Sequence, residues 1–339
     1  MEHPVDFVLP WVDGSDTAWQ AEKNSRLHTG REAGDGRDIR YRDWDLLRYW
    51  FRGVEKFAPW VNKIHFITWG HLPSFLNTAH PRLHIVRHED YIPGEYLPTF
   101  SANTIEMNLH RLEGLAEHFV YFNDDMFLLR AVKPESFFRN GLPCDTAAMN
   151  PADTLQLSRP GSDDRVNHFA FNDMQYLNRR YALRSTVGAH PGKWINPRYG
   201  SYMIRNLLLL FWPRFCGFVD FHLPQAYLKS SFASAWQDEE NALHRTCLCP
   251  VRSDQDLNQW YVRYRQLAEN LFVPVRPVSG ASFTIDGSDA PHRAIRTAQS
   301  PMICLNDGPG ITNEQYEAEK KRLQASFETI LPDRSEFEK

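Results

Sequence analysis

The sequence predicts an α/β fold: a mainly parallel sheet over residues 1–150, followed by a more helical half, 151–339, that packs on it and completes the site. Three observations lead there. Strand-like and helix-like stretches alternate to about residue 140, the pattern of a parallel sheet with crossover helices. The chain of 339 residues, 42% hydrophobic and 13% aromatic, can fill a large core or two lobes. Two apolar runs end in acidic turns, "WVDGSD" and "FNDD", and open parallel sheets bind their ligands beyond the carboxyl ends of their strands.

The first apolar run, "VDFVLPWV", reads as a strand that leaves the core at "DGSD". From Leu27 to Arg42, glycines and charges predict an exposed, mobile loop able to close over a ligand. In "RDWDLLRYWFRGVEKFAP", Leu46, Leu47, Trp50, Phe51, Val54 and Phe57 recur at helical spacing, with Pro59 beyond the end. "NKIHFITWG" and "RLHIVRHED" read as strands, "SANTIEMNLHRLEGLAE" as a helix capped by Ser101, and "HFVYFN" as a strand. Residues 151–165 form a polar loop with two prolines and mark a soft boundary, unless the two halves form one continuous domain. Beyond it, "NDMQYLNRRYALR" and "DLNQWYVRYRQLAENLF" are helical. "LLLLFWPRFCGFV", residues 207–219, is the most hydrophobic stretch; Pro213 and Arg214 interrupt it, it is too short to span a bilayer, and core is expected ahead of the alternative, membrane contact. "NEQYEAEKKRLQASFETIL" reads as a solvated helix packed by one stripe.

A net charge of −4 gives no reason to expect nucleic acid as a partner. "MEHPVDFVLP" lacks the basic and apolar regions of a secretory leader, and no window reaches about 18 apolar residues, so a cytoplasmic protein is expected. The five scattered cysteines, with only Cys247 and Cys249 close together, read as reduced structural thiols.

Asp124 and Asp125 could be solvated residues ending a strand, as most Asp-Asp pairs are. Their place after a buried run suits another role: Mg²⁺ commonly takes one or two protein carboxylates and completes its octahedron with phosphate oxygens. The turn Asp13, Gly14, Ser15 and Asp16 follows another strand, where it would meet a nucleotide's sugar hydroxyls or the metal.

Several segments are more specific together. "DFVLPWVDGSD", "RDWDLLRYWFRGVEKFAPWVNKIHFITWGHLPSFLN", "LPTFSANTIEMNLHRLEGLAEHFVYFNDDMF", "FHLPQAYLKS" with "VRSDQD", and "MICLND" resemble, in order, the four conserved regions of the Stealth family, over residues 5–307. That family contains bacterial capsular and exopolysaccharide phosphotransferases and the catalytic region of the eukaryotic lysosomal-enzyme N-acetylglucosamine-1-phosphotransferase. The resemblance implies a Rossmann-like, glycosyltransferase-A-like core. It implies transfer of hexose or N-acetylhexosamine 1-phosphate from a UDP-sugar to a glycan hydroxyl, forming a phosphodiester and releasing UMP, in capsule or exopolysaccharide synthesis. The partners implied are a UDP-sugar donor, Mg²⁺ or Mn²⁺, and a glycan or lipid-linked glycan acceptor. The place implied is the bacterial cytoplasm, with possible peripheral association with membrane polysaccharide machinery at the inner face.

The resemblance also carries roles. Arg252 matches the third-region arginine, whose planar fork suits phosphate oxygens; an isolated arginine is more often a surface residue. His222 matches a third-region histidine and is the candidate general base, with Asp125 as rival and Asp124 as metal ligand. Asn306 and Asp307 match the fourth region as metal or phosphate ligands; the bland reading is an Asn-Asp-Gly turn. Arg40, Asp43 and Arg48 fall in the opening of the second region as donor contacts, beside Asn123 of "FNDD"; Arg48 reads equally well as a helix-surface ion-pair partner. Departures bear on the donor: Trp44 replaces a polar residue, Gly53 a serine and His71 a glutamine, and Gln225 stands where the eukaryotic enzyme has a second histidine. Two other readings compete. A metal-dependent glycosyltransferase would release UDP instead, and a catalytically dead glycan-binding module would not need the acids and histidine that this chain retains.

Overall fold

The computed structural model describes residues 3–27, 42–152, 165–277, 280–307 and 311–339. Residues 28–41 of the loop expected from Leu27 to Arg42, Arg40 included, and most of the polar loop at 151–165 lie outside them. Among the described residues, eleven strands follow in chain order: β1 Val5–Pro10, β2 Ile64–Thr68, β3 Leu83–Arg87, β4 His118–Tyr121, β5 Met126–Leu128, β6 Phe138–Arg139, β7 Leu142–Asp145, β8 Gln225–Leu228, β9 Val273–Pro274, β10 Gly280–Ile285 and β11 Met302–Asp307. The helices are α1 Thr17–Leu27, α2 Leu47–Phe57, α3 Ala102–Met107, α4 Arg165–Arg180, α5 Leu183–Ala189, α6 Pro191–Trp194, α7 Ser201–Leu209, α8 Lys229–Leu248, α9 Gln259–Ala268, α10 Ala290–Arg296 and α11 Asn313–Glu328.

The main sheet has the order β3-β2-β1-β4-β8. β1 runs parallel to β2, with Phe7 opposite Ile64, and parallel to β4, with Val5 opposite His118. β3 continues the parallel set, and β8 closes the edge antiparallel to β4, with His118 opposite Leu228. The expected mainly parallel α/β sheet is therefore present, with its one antiparallel strand drawn from the second half of the chain. β2 is buried at every position, as a strand covered on both faces must be.

One face of the sheet is covered by α2, whose Trp50 meets Phe122 edge-on at 5.5 Å and whose Phe51 packs on Phe66 at 5.9 Å. A Cβ at Gly53 would stand 3.1 Å from the Leu128 carbonyl oxygen, so glycine lets this helix approach β5 where a serine would crowd it. On the other face, Val8, Phe119, Tyr121 and Tyr227 pack against residues of α8 and α9.

Two smaller sheets complete the fold. β11 pairs antiparallel with β5, Cys304 facing Met126, and parallel with β10. β6, β7 and β9 form the other.

Two expectations need correction. The helix read from Ser101 to Glu117 stops at Met107 and gives way to a single tighter turn at Leu109–Arg111; the Asn108 side chain bonds back to the Thr104 carbonyl at 2.9 Å. Ser101 stands at its start, but its hydroxyl makes no capping bond. The stretch 207–219 was expected in the core. Phe215 and Phe218 are buried, whereas Leu207, Leu208, Phe211 and Trp212 are exposed, because hydropathy alone does not say which way an apolar helix face points.

Candidate active site

The acidic pair stands at the tip of a tight turn between β4 and β5. The Phe122 amide bonds the Val8 carbonyl at 2.9 Å, which carries the chain to the end of the sheet, and the Met126 amide closes the turn on the Asn123 carbonyl at 3.1 Å. The Leu305 amide donates to the Asp125 carbonyl at 2.9 Å, fixing β11 against this turn. β11 thereby brings Cys304 beside the Asp125 carboxyl and carries Asn306 and Asp307 to the same rim. Asn306 Nδ2 donates to Ser282 Oγ at 2.7 Å, while Asp307 faces Arg42 at 3.5 Å.

His222 reaches the turn from the segment before β8. Its backbone φ is +48°, a left-handed conformation uncommon for a residue with a Cβ and concentrated at functional positions. Asn123 Nδ2 lies 3.2 Å from His222 Nε2, and Asp125 Oδ2 lies 3.9 Å from the same nitrogen. Asn123 and His222 border a cleft of about 510 Å³, open mouth included, with Tyr121, Trp260 and Arg263 in its lining. Arg263 is already committed: it bonds Asp145 at 2.8 and 2.9 Å and Asp220 at 2.7 Å.

The electrostatics are those of a crowded acidic site. Asp124 opens to solvent at the turn, yet the surrounding protein and the charges of Asp125 and Asp43 push its carboxyl up to about 7, against the pull of Arg252. Asp125 is also raised by desolvation, with His222 and Arg252 opposing. Asp43 is raised by burial and by Asp45 and Asp13. Four acids expected at the site, Asp13, Asp43, Asp124 and Asp125, thus feel one another's fields directly or through a shared neighbour. The charge of Arg252 reaches the pair and also the buried Glu106, which desolvation pushes to about 7 and which accepts a 3.0 Å bond from the Tyr121 hydroxyl.

The turn after β1 is built separately. Asp13 Oδ1 accepts the Ser15 amide at 2.9 Å and its hydroxyl at 2.6 Å, while Asp16 caps α1 through the amides of Ala18 and Trp19. The Asp13 amide donates to His71 Nε2 at 2.7 Å. His71 therefore supplies an acceptor here, as a glutamine carbonyl could.

Arg48 lies over the Phe75 ring at 5.3 Å, and among the described residues no ion pair joins it to the acids. Sequence reading did not single out Arg42, which also covers the Tyr316 ring at 5.1 Å, nor Glu106 or Cys304. Cys304 carried a signal: it is two residues before Asn306 in a strand, hence on the same face.

The donor set bears on the metal. Asp125 Oδ1 is buried with no hydrogen-bond partner among the described residues, which leaves it an acceptor that a cation could satisfy. One ligand atom each from Asp125, His222 and Cys304 fall within 4.8 Å of one another. Burial and the Asp125 charge push the Cys304 thiol far up, so it stays protonated and leaves carboxylate oxygen as the preferred donor. A carboxylate donor of this kind suits a hard divalent cation.

Residues 3–31 match the model of Stealth protein conserved region 1, and residues 40–144 that of conserved region 2. The chain is 39% identical to a capsular polysaccharide phosphotransferase, WcwK, of Streptococcus pneumoniae, over 100% of both chains. It is 36% identical to a receptor polysaccharide phosphotransferase, WefC, of Streptococcus gordonii, again over 100% of both. It is 34% identical to an exopolysaccharide phosphotransferase, cps2G, of Lactiplantibacillus plantarum, over 99% of this chain and 96% of the relative. The solved galactosyltransferase LgtC, crystallised with donor and acceptor sugar analogues, aligns over 98% of both chains at 10% identity and a TM-score of 0.33, too distant a likeness to argue from. The chain therefore belongs to the Stealth family and is one of its phosphotransferases.

Proposed function

We propose that the chain transfers a sugar 1-phosphate from a UDP-sugar to a hydroxyl of a glycan or lipid-linked glycan, in the synthesis of a capsular or exopolysaccharide. The observation that carries this reading is the meeting of His222 with Asn123 and Asp125 at the mouth of the cleft, with the charge of Arg252 reaching the acidic pair. The acceptor oxygen attacks the phosphorus next to the sugar, the bridge to the second phosphorus breaks, and UMP leaves with the bridging oxygen. His222 Nε2 takes the hydroxyl proton, and Arg252 meets charge developing on the phosphoryl oxygens. A divalent cation on Asp124 and Asp125 would neutralise the donor phosphates and offset the repulsion between the two acids. Asp13, Ser15 and Asp43 meet the nucleotide, and Asn306 and Asp307 line the far side.

The test is the nucleotide released. Incubation with Mg²⁺, a panel of UDP-sugars and short glycan acceptors should yield UMP and a new phosphodiester signal by phosphorus NMR. UDP without that signal would place the reaction at the sugar–phosphate bond, as in a glycosyltransferase.

A further inference from the structure

Helix α7 is built inside out. Its buried residue is polar: Asn206 Oδ1 accepts the Met149 amide at 2.8 Å, and Nδ2 donates to the carbonyls of Ala147 and Trp194 at 2.6 and 2.8 Å. Its outward residues are apolar. Ile204, Leu207, Leu208 and Phe211 follow the i, i+3, i+4, i+7 spacing of one helix face and are 58%, 40%, 65% and 83% exposed; Trp212 beside them is 59% exposed. A contiguous apolar stripe left in water has a partner in most proteins.

The charge around the stripe identifies that partner. From residue 174 to residue 219 the sequence contains no aspartate or glutamate and seven arginines and lysines, in a chain whose net charge is −4. Arg198, Arg205 and Arg214, all exposed, stand within or beside the stripe. A second copy of the chain would bring these like charges together across a two-fold interface.

We propose that this face docks on a bilayer rich in anionic lipid. The stripe sinks to the boundary between headgroups and acyl chains, with Trp212 at headgroup depth and the arginines against lipid phosphates. No helix among the described residues is long and apolar enough to cross a membrane, so the attachment is to one surface. The position also serves the site: Tyr202 of α7 meets Phe221 edge-on at 6.3 Å, and Phe221 adjoins His222. Resting on the transfer proposed above, an acceptor carried on a lipid anchor would be presented beside the catalytic loop.

Vesicle sedimentation tests the docking without using the transfer chemistry, so its failure would leave the proposed reaction standing. The purified chain should sediment with vesicles of phosphatidylglycerol mixed with phosphatidylcholine, weakly with phosphatidylcholine alone, and less as salt rises. Leu208→Glu with Phe211→Glu should lower partitioning by about tenfold or more. Arg205→Gln and Arg214→Gln should each lower it roughly fivefold, since one basic residue near an anionic surface contributes about that factor. All four positions are exposed, so circular dichroism melts should match the parent. The proposal is overturned if the parent ignores anionic vesicles, or if the double variant binds them equally well. It is also overturned if the parent forms a dimer that the double variant dissolves while vesicles capture neither.

Discussion

Asn123 Nδ2 and His222 Nε2 stand 3.2 Å apart across 99 residues of sequence, and Asp125 Oδ2 approaches the same ring nitrogen at 3.9 Å. The amide can donate to that nitrogen when the imidazole carries its single proton on Nδ1. That is the form a general base requires. His222→Ala should lower kcat by about a hundredfold to ten thousandfold and leave the donor KM near the parent value. A general base shapes the acidic limb of the pH–rate profile, so that limb should flatten in the variant. A near-normal kcat with an unchanged profile would move the base to Asp125.

The buried, unbonded Asp125 Oδ1 predicts a required metal. Asp125→Asn should abolish Mn²⁺ binding measured by calorimetry while the protein melts no earlier, since the substitution also relieves repulsion with Asp124. Because the Asp124 carboxyl is pushed up to about 7, protons compete with the cation below that pH, and affinity should climb as pH rises through it. Excess EDTA should cost turnover on the order of a thousandfold or more. Unaltered Mn²⁺ affinity in Asp125→Asn would exclude the pair as the metal site.

The 2.7 Å bond from the Asp13 amide to His71 Nε2 makes a prediction about positioning. Losing one hydrogen bond of this kind is worth about 1 kcal/mol, or roughly fivefold in affinity. His71→Ala should therefore raise the donor KM several-fold with little change in kcat, and His71→Gln should restore it by offering its carbonyl oxygen. Equal KM values in all three proteins would detach His71 from the nucleotide turn.

Glu106 gives stability a pH dependence. Its folded carboxyl titrates near 7, above the ordinary 4.5, so the folded state holds a proton that the unfolded chain has lost. This contribution is fully present below about 4.5 and disappears as pH rises through about 7. Glu106→Gln should flatten the fall in melting temperature between those limits. A variant whose melting temperature tracks the parent's at every pH would assign the effect elsewhere.

The main sheet was legible in the sequence because β1, β2 and β4 are apolar runs and α2 repeats its apolar residues at helical spacing. β6 and β9, at two residues each, are too short to show any period. Asp124 and Asp125 could be found because they follow a buried strand. Cys304 was passed over because a single buried cysteine is ordinary until the pairing of β11 with β5 puts it against a carboxylate. The left-handed turn at His222 left no trace, since no glycine marks it. The outward face of α7 was misread because its four consecutive leucines look like core until Asn206 is seen to hold the inner side.

The pairing of Met126 with Cys304 joins positions 178 residues apart, and it fixes when in the life of the chain the enzyme can exist. A ribosome adds about 5–20 residues per second, so the acidic turn is synthesised roughly 9–36 seconds before the strand that clamps it. During that interval β5 has an unpaired edge, and neither Asn306 nor Asp307 has been made. Contacts of such long range also form late in refolding, after local helices and hairpins. A nascent polypeptide thus lacks the clamp on its acidic turn until β11 has been made.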